Sequence, residues 1–210
     1  GWTLPAAQQR AILEHCRQTG TWIVADEVYE RLYFGDAPAA PSFLDAAHPQ
    51  DRLIVIHSFS KSFLMTGWRL GWMVVPPEVV DPLGKLTEFN TSCAPVFVQR
   101  AALLAVQQAS SSVPELRDHM LQCAQRLVGG LKSLSRVEVA APQGGMYAFF
   151  RVDGQPDSLS FAKHLVAAHG LGLAPVAAFG PEGEGWLRWC FASKDLTRLD
   201  RGLERLADAL

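Results

Sequence analysis

The chain has 210 residues, 49% of them hydrophobic and 19% charged, with a formal net charge of -2 at pH 7. That length allows one large domain or two small ones with buried cores, and the balanced charge offers no basic excess for binding nucleic acid. The longest apolar runs, such as Trp22 to Ala25 and Met73 to Val75, are far too short to cross a bilayer, and Gly1-Trp2-Thr3-Leu4-Pro5 lacks the basic-then-apolar pattern of a secretory signal.

Thr3 is a candidate N-cap, with Pro5 in the first turn of a helix. Ala7, Ala11, Ile12 and Cys16 continue at helical spacing, and Gly20 ends the pattern. Trp22-Ile23-Val24-Ala25 reads as a buried strand ending at Asp26, and Leu53-Ile54-Val55-Ile56 as a second ending near His57 and Ser58. Leu70 to Val75 is a third, closed by Pro76-Pro77. Continuous apolar strands separated by other segments predict an α/β sheet covered on both faces. Val96 to Gln108 is rich in helix formers. Ser112 and Glu115 then form an S-x-x-E capping box, with Pro114 in the first turn. Leu116, Met120, Leu121, Ala124, Leu127, Val128, Leu131 and Leu134 follow as one long connecting helix.

After Arg136 the pattern changes. Val137 to Val139 and Met146 to Val152 read as strands, Ser158 to Ala168 as a helix closed by Gly170, and Trp186 to Phe191 as a strand. Leu196, Leu199, Leu203, Leu206 and Leu210 make the apolar stripe of a last helix, with Arg198, Arg201 and Arg205 off it. The predicted organisation is therefore three parts: residues 1–112 in a large domain, a connecting helix over 113–135, and a small α+β domain over 136–210. Cys16, Cys93, Cys123 and Cys190 are scattered and form no C-x-x-C pair, which predicts free buried thiols in a reducing, cytoplasmic setting. Among the histidines, His15, His48, His119, His164 and His169 show no metal-ligand spacing, and His57 reads as a strand-end core residue; no metal is expected.

The chemistry concentrates where apolar strands stop. In α/β sheets ligands bind outside the carboxyl ends of strands. Asp26 and Glu27 follow one strand, while Ser58, Ser60 and Lys61 follow another. A lone aspartate there is as well explained as a turn cap. A lysine among small hydroxyls after a buried strand is harder to explain as surface charge. Eight residues on, Arg69 lies between Gly67 and Gly71. The guanidinium can grip an anion through two parallel hydrogen bonds, and the glycines would let backbone approach it. The serines, Lys61 and Arg69 make a candidate anion site.

Asp26-Glu27-Val28-Tyr29, Ser58-Phe59-Ser60-Lys61 and Gly67-Trp68-Arg69-Leu70-Gly71-Trp72, in that order and spacing, resemble the motif series of the class I/II aminotransferases, which are fold-type I pyridoxal-phosphate (PLP) enzymes. Leu187-Arg188-Trp189-Cys190-Phe191-Ala192 resembles the late arginine motif of the same family, so the likeness runs through essentially the whole chain. The resemblance implies part of the fold-type I large domain, a mixed and mainly parallel sheet covered by helices, followed by the small domain. It implies that Lys61 carries PLP as a Schiff base and shuttles the substrate's α-proton. Asp26 would pair with the pyridine nitrogen, Tyr29 would hydrogen-bond the ring hydroxyl oxygen, Ser58, Ser60 and Arg69 would hold the phosphate, and Arg188 would grip the substrate α-carboxylate. The implied reaction moves an amino group between an amino acid and a 2-oxo acid, in a homodimeric cytoplasmic parent. Members of the family are about twice as long, and of the N-P-x-N-P-T-G stretch only the final glycine is matched, at Gly1. The chain is thus expected to be a C-terminal portion, with weak or no turnover alone. Glu88-Phe89-Asn90-Thr91-Ser92 offers no arginine for a second substrate carboxylate, which leans against a dicarboxylate substrate.

Other chemistries fit some of the same residues. PLP-dependent elimination, decarboxylation or acyl transfer would also use Lys61 and Asp26. An aminotransferase-like domain of a transcriptional regulator would need a DNA-binding segment, which is not visible. Ser58 and Lys61 also fit the S-x-x-K nucleophile motif of β-lactamases, but the companion S-D-N and K-T-G motifs do not occur. A chain that folds and binds nothing is the remaining alternative.

Overall fold

The computed structural model describes residues 1–210. The chain forms two compact units: Thr3–Arg117, and Asp118–Leu210 together with Gly1–Trp2.

The first unit opens with helix α1, Ala6–Thr19. Pro5, not Thr3, occupies the N-cap, and no side chain caps the first turn; Pro5 O instead accepts from Gln8 N and Gln9 N. Gly20 ends the helix in the left-handed conformation that glycine adopts without steric cost. Strands β1, Ile23–Asp26, and β2, Leu53–Ser58, pair in parallel, and β3, Gly71–Val74, pairs antiparallel to β2. The sheet is therefore mixed, in the order β1-β2-β3. Alternate residues of β2 (Leu53, Val55, His57) are buried, and Leu13 of α1, Ala25, Phe43, Leu53 and Val55 form one core cluster. Within this chain the sheet is covered only in part: Val24 is 63% exposed and all of β3 is exposed.

Helix α2, Pro77–Thr91, was not expected, because Pro82 and Gly84 interrupt its pattern; Pro77 starts it at a position where a missing N–H costs nothing. Helix α3, Val96–Gln107, follows as expected and buries Val98 and Ala102. Helix α4, Ala109–Lys132, begins three residues before the predicted capping box. Ser112 therefore lies inside the helix, where its hydroxyl donates back to Gln108 O (3.0 Å), as helical serines do when they are not caps. The boundary between the units falls within α4, between Arg117 and Asp118.

The second unit is α+β. A four-stranded sheet runs β4-β5-β7-β6, with β4 Val137–Val139, β5 Tyr147–Val152, β6 Ala174–Pro175 and β7 Trp186–Cys190, all pairings antiparallel. Helix α5, Ser158–His169, is capped by the Asp157 carboxylate, which accepts from Ser160 N, and ends at left-handed Gly170. In helix α6, Thr197–Ala207, Leu199 and Leu206 are buried while Arg198, Arg201 and Arg205 are exposed. Phe150, Leu165, Leu187, Phe191 and Leu206 are fully buried in this unit. All four cysteines are free, but only Cys123 is buried; Cys93 and Cys190 are exposed, so the expectation of buried thiols holds at one site. Burial also pushes the Cys123 thiol pKa up, which keeps it protonated and unreactive.

Candidate functional site

The parallel pairing of β1 with β2 brings their carboxyl ends side by side. Asp26 is in register with Ile56, and Glu27 N donates to Ile56 O (3.0 Å) one step further. Two loops leave from this point. The first carries Asp26 and Tyr29; the second carries Ser58, Ser60 and Lys61. Asp26 is exposed and its Oδ1 accepts from Val28 N (3.3 Å), an Asx-type turn that leaves the other oxygen outward. The bland turn-cap reading of Asp26 and a ligand role are thus compatible.

The second loop is a closed structure. Phe59 N donates to Leu70 O (3.1 Å) and Met65 N donates to Phe59 O (3.2 Å), so residues 59–70 return to their starting point. Phe59 and Met65 anchor it by packing with Ala102 of α3, alongside Phe63 and Leu70. Ser58 Oγ accepts from Ser60 N (3.1 Å), and Ser60 and Ser62 are buried. Lys61 is half-buried, with its Nζ 5.4 Å from the centre of the Tyr29 ring, a cation–π approach that spans the two loops. No hydrogen bond joins Lys61 to Ser58 Oγ, which is the contact that the S-x-x-K reading requires.

Arg69 adopts a left-handed backbone (φ 53°), uncommon for a non-glycine residue and often found where function dictates geometry. One guanidinium nitrogen donates to Thr66 O (3.0 Å) and the group is otherwise exposed. The flanking glycines do not work as expected from sequence. A side chain at Gly67 would meet nothing within 4 Å, whereas a Cβ at Gly71 would lie 2.5 Å from His57 O. Gly71 is needed for β3 to approach β2, not for a ligand to approach the backbone.

Behind these residues lies a cluster that the sequence reading passed over. His57 Nδ1 is 2.6 Å from Glu30 Oε2, an ion-pair distance without the alignment of a hydrogen bond, and the His57 ring stacks on Trp72 (4.9 Å between centres, 16° between planes). Glu27 Oε1 accepts from Phe43 N (3.0 Å), while its Oε2 is buried without a hydrogen-bond partner. Atoms of Glu27, Glu30 and His57 lie within 4.8 Å of one another. Nothing in the spacing of the histidines alone would have found this group; its signal was the pairing of two acids with the histidine at the end of the next strand.

In the second unit Arg188 is held between two aromatic faces, 4.4 Å from the Tyr147 ring centre and 4.3 Å from that of Phe179. Stacking on both sides fixes the guanidinium plane and leaves its edge for a planar anion such as a carboxylate.

The first unit thus places a lysine, an acid and hydroxyls beyond the carboxyl end of a mixed sheet, and the second, α+β unit holds a stacked arginine. Residues 1–206 match the family Aminotransferase class I and II. The chain is 32% identical over 191 residues to the arginine–pyruvate transaminase of Pseudomonas aeruginosa, covering 90% of the chain and 48% of that protein. It is 30% identical to an aspartate aminotransferase of Pyrococcus horikoshii, covering 100% of the chain and 54% of the relative. Among solved structures, the aspartate aminotransferase of Thermotoga maritima superposes with a TM-score of 0.88 at 30% identity, covering 100% of this chain and 53% of that one. The aromatic aminotransferase of Pyrococcus horikoshii gives a TM-score of 0.91 at 27% identity, over 99% and 56% of the two chains. This chain belongs to the class I and II aminotransferases. It spans about half the length of the curated relatives it matches.

Proposed function

We propose that this chain carries the lysine and phosphate-binding half of a PLP site in an aminotransferase whose full length moves an amino group between an amino acid and a 2-oxo acid. The observation that supports it most is the approach of Lys61 to Tyr29 across two loops that leave neighbouring strand ends. The residues present suit PLP: an amine, a phenol, a carboxylate, hydroxyls and a guanidinium match its aldehyde, ring hydroxyl, ring nitrogen and phosphate.

When bound, PLP supplies a carbonyl that exchanges amines and a ring that accepts the electron pair left when a C–H bond breaks. The residues of this chain would do the rest. The Lys61 amine would hold the cofactor in the resting state and, once freed by the incoming substrate amine, would take the substrate's α-proton at Nζ. The Asp26 carboxylate would hold a proton on the pyridine nitrogen. Tyr29 would donate its phenolic proton toward the ring oxygen. Ser58, Ser60 and Arg69 would bind and orient the phosphate, and Arg188 the substrate α-carboxylate. The domain limits of 1–112, 113–135 and 136–210, a homodimeric parent and a cytoplasmic location belong to the same proposal. No helix is long and apolar enough to cross a membrane.

The test is site-selective labelling. The chain is incubated with PLP, reduced with borohydride, and digested for peptide mapping. Lys85, Lys132, Lys163 and Lys194 serve as internal references. Lys61 is expected to take up most of the label at limiting PLP, and Asp26→Asn to reduce its share. Equal labelling of all lysines would overturn the assignment. The amino-group transfer is tested in the full-length protein by pairing amino acids with 2-oxo acids and identifying both products. An amino acid consumed without an oxo-acid acceptor would place the protein among the elimination or decarboxylation enzymes instead. The 210-residue chain alone is expected to show little turnover.

A further inference from the structure

Few backbone hydrogen bonds join the loops that carry Tyr29 and Lys61. Backbone hydrogen bonds between them end at Glu27 N to Ile56 O. Beyond that point each loop bonds to itself or to other segments: Glu30 N to Glu27 O, Ala40 N to Glu30 O, and Phe59 N to Leu70 O. Yet the proposed chemistry needs Tyr29 and Lys61 at a fixed spacing. A short side-chain contact crosses the gap, between Glu30 and His57 (2.6 Å).

The location of this contact gives it leverage. Glu30 directly follows Tyr29, and His57 directly precedes Ser58. The two side chains are largely withdrawn from water, at 18% and 8% exposure. Screening is weak there, so any charge on the pair acts more strongly than at the surface; the two atoms sit at ion-pair distance without the alignment of a hydrogen bond. Each partner is also held from behind. His57 is stacked on Trp72, its register partner on β3. Glu30 is joined to the loop's return by Ala40 N on its carbonyl, and its other carboxylate oxygen lies 3.3 Å from Arg31 Nε. Glu27 fastens the same loop to Phe43 through Phe43 N. The arrangement therefore has a support on each side and this contact between them, beside the approach of Lys61 to Tyr29.

We propose that Glu30 and His57 are a positioning pair: their contact ties the Asp26–Tyr29 loop to the Ser58–Lys61 loop and so sets the spacing of Tyr29 from Lys61. Both would act through Tyr29 and Lys61 and not on cofactor or substrate directly. The consequence for PLP rests on the function proposed above; the tie between the loops does not.

The experiment has two readouts on the same variants: Glu30→Gln, which keeps the size and removes the charge; His57→Phe, which keeps a ring against Trp72 and removes the nitrogen; and the double variant. The first readout is hydrogen exchange by mass spectrometry on the cofactor-free chain, well below each variant's melting temperature. Glu30→Gln is expected to speed exchange in peptides covering 58–65 about tenfold, and His57→Phe to do the same over 27–33, with the double variant no faster than either alone. Peptides covering β5 serve as the control and are expected to stay unchanged. A merely space-filling role would loosen only the substituted loop, and that result would overturn the proposal. The second readout is the Lys61 share of borohydride-trapped PLP relative to Lys85. It is expected to fall about tenfold in both single variants and no further in the double. Unchanged Lys61 labelling in variants of a chain that labels there strongly would also overturn it. If the unsubstituted chain shows no preference for Lys61, the PLP reading fails, and hydrogen exchange still decides the loop tie.

Discussion

Asp51 shows how a single residue of this chain couples charge to stability. Its carboxylate takes two hydrogen bonds from Arg17 (2.8 and 2.7 Å) and one from His48 N (2.7 Å), and is drawn down to a pKa of about 2, chiefly by the Arg17 side chain. A carboxyl with a folded pKa below its unfolded value of 3.8 stabilises the folded state at pH values above both. That contribution is lost as pH falls from about 4 to about 2. Asp51→Asn is therefore expected to flatten the acid limb of a stability–pH curve in that window, as followed by urea denaturation. The candidate site residues were selected for a different reason. Lys61 and Arg69 stand out as candidates by residue type and position after a strand, while Asp26, Tyr29 and Arg188 become candidates only where short ordered motifs resemble those of the family. Glu30 and His57 were not selected, because their link depends on which strand end lies beside which, and that is a property of the sheet.

At the level of the element, sequence signals worked where one local cause acts alone. Gly20 and Gly170 end α1 and α5 because each last turn needs a left-handed residue. The leucine stripe of α6 was readable because its period is regular. Signals failed where causes compete. Ser112 and Glu115 form a sound capping box on paper, but α4 starts at Ala109 and absorbs both. The prolines and glycine of α2 hide a helix whose residues are all at least partly exposed, so no buried stripe reveals it. Close backbone contacts are equally invisible in sequence. Gly71→Ala would bring a methyl to 2.5 Å from His57 O and push β3 from β2. Gly202→Ala would press a methyl on α6 to 2.5 Å from Cζ2 of the buried Trp189 ring. Neither neighbour can swing away, and each substitution is expected to cost about 1–3 kcal/mol, seen as a lower midpoint in chemical denaturation. A neutral Gly202→Ala would mean that the Trp189 ring can yield to the methyl.

For the whole molecule, the apolar strand pattern predicts a sheet covered on both faces in the parent fold, and a chain that lacks the family's earlier strands is expected to leave apolar surface and a sheet edge open, as this one does. Phe89 is 91% exposed, Phe97 69%, Leu86 65% and Leu104 59%, all on α2 and α3 of the first unit, and Val24 lies exposed on β1. Both outer strands of that sheet, β1 and β3, have an unpaired edge within the chain. Exposed apolar patches and open strand edges favour association with other chains. The purified 210-residue chain is accordingly expected to bind a hydrophobic dye and to self-associate as concentration rises, measured by light scattering. Phe97→Lys with Leu104→Glu should reduce both. The two side chains are mostly in water, so substituting them should change folding stability by no more than about 0.5 kcal/mol. Reduced scattering at unchanged stability would mean that the association uses this surface. Unchanged scattering would direct attention to the strand edges, where Val24→Lys is the corresponding substitution, since a lysine on an edge strand discourages pairing with another chain without breaking the parallel register of β1 with β2.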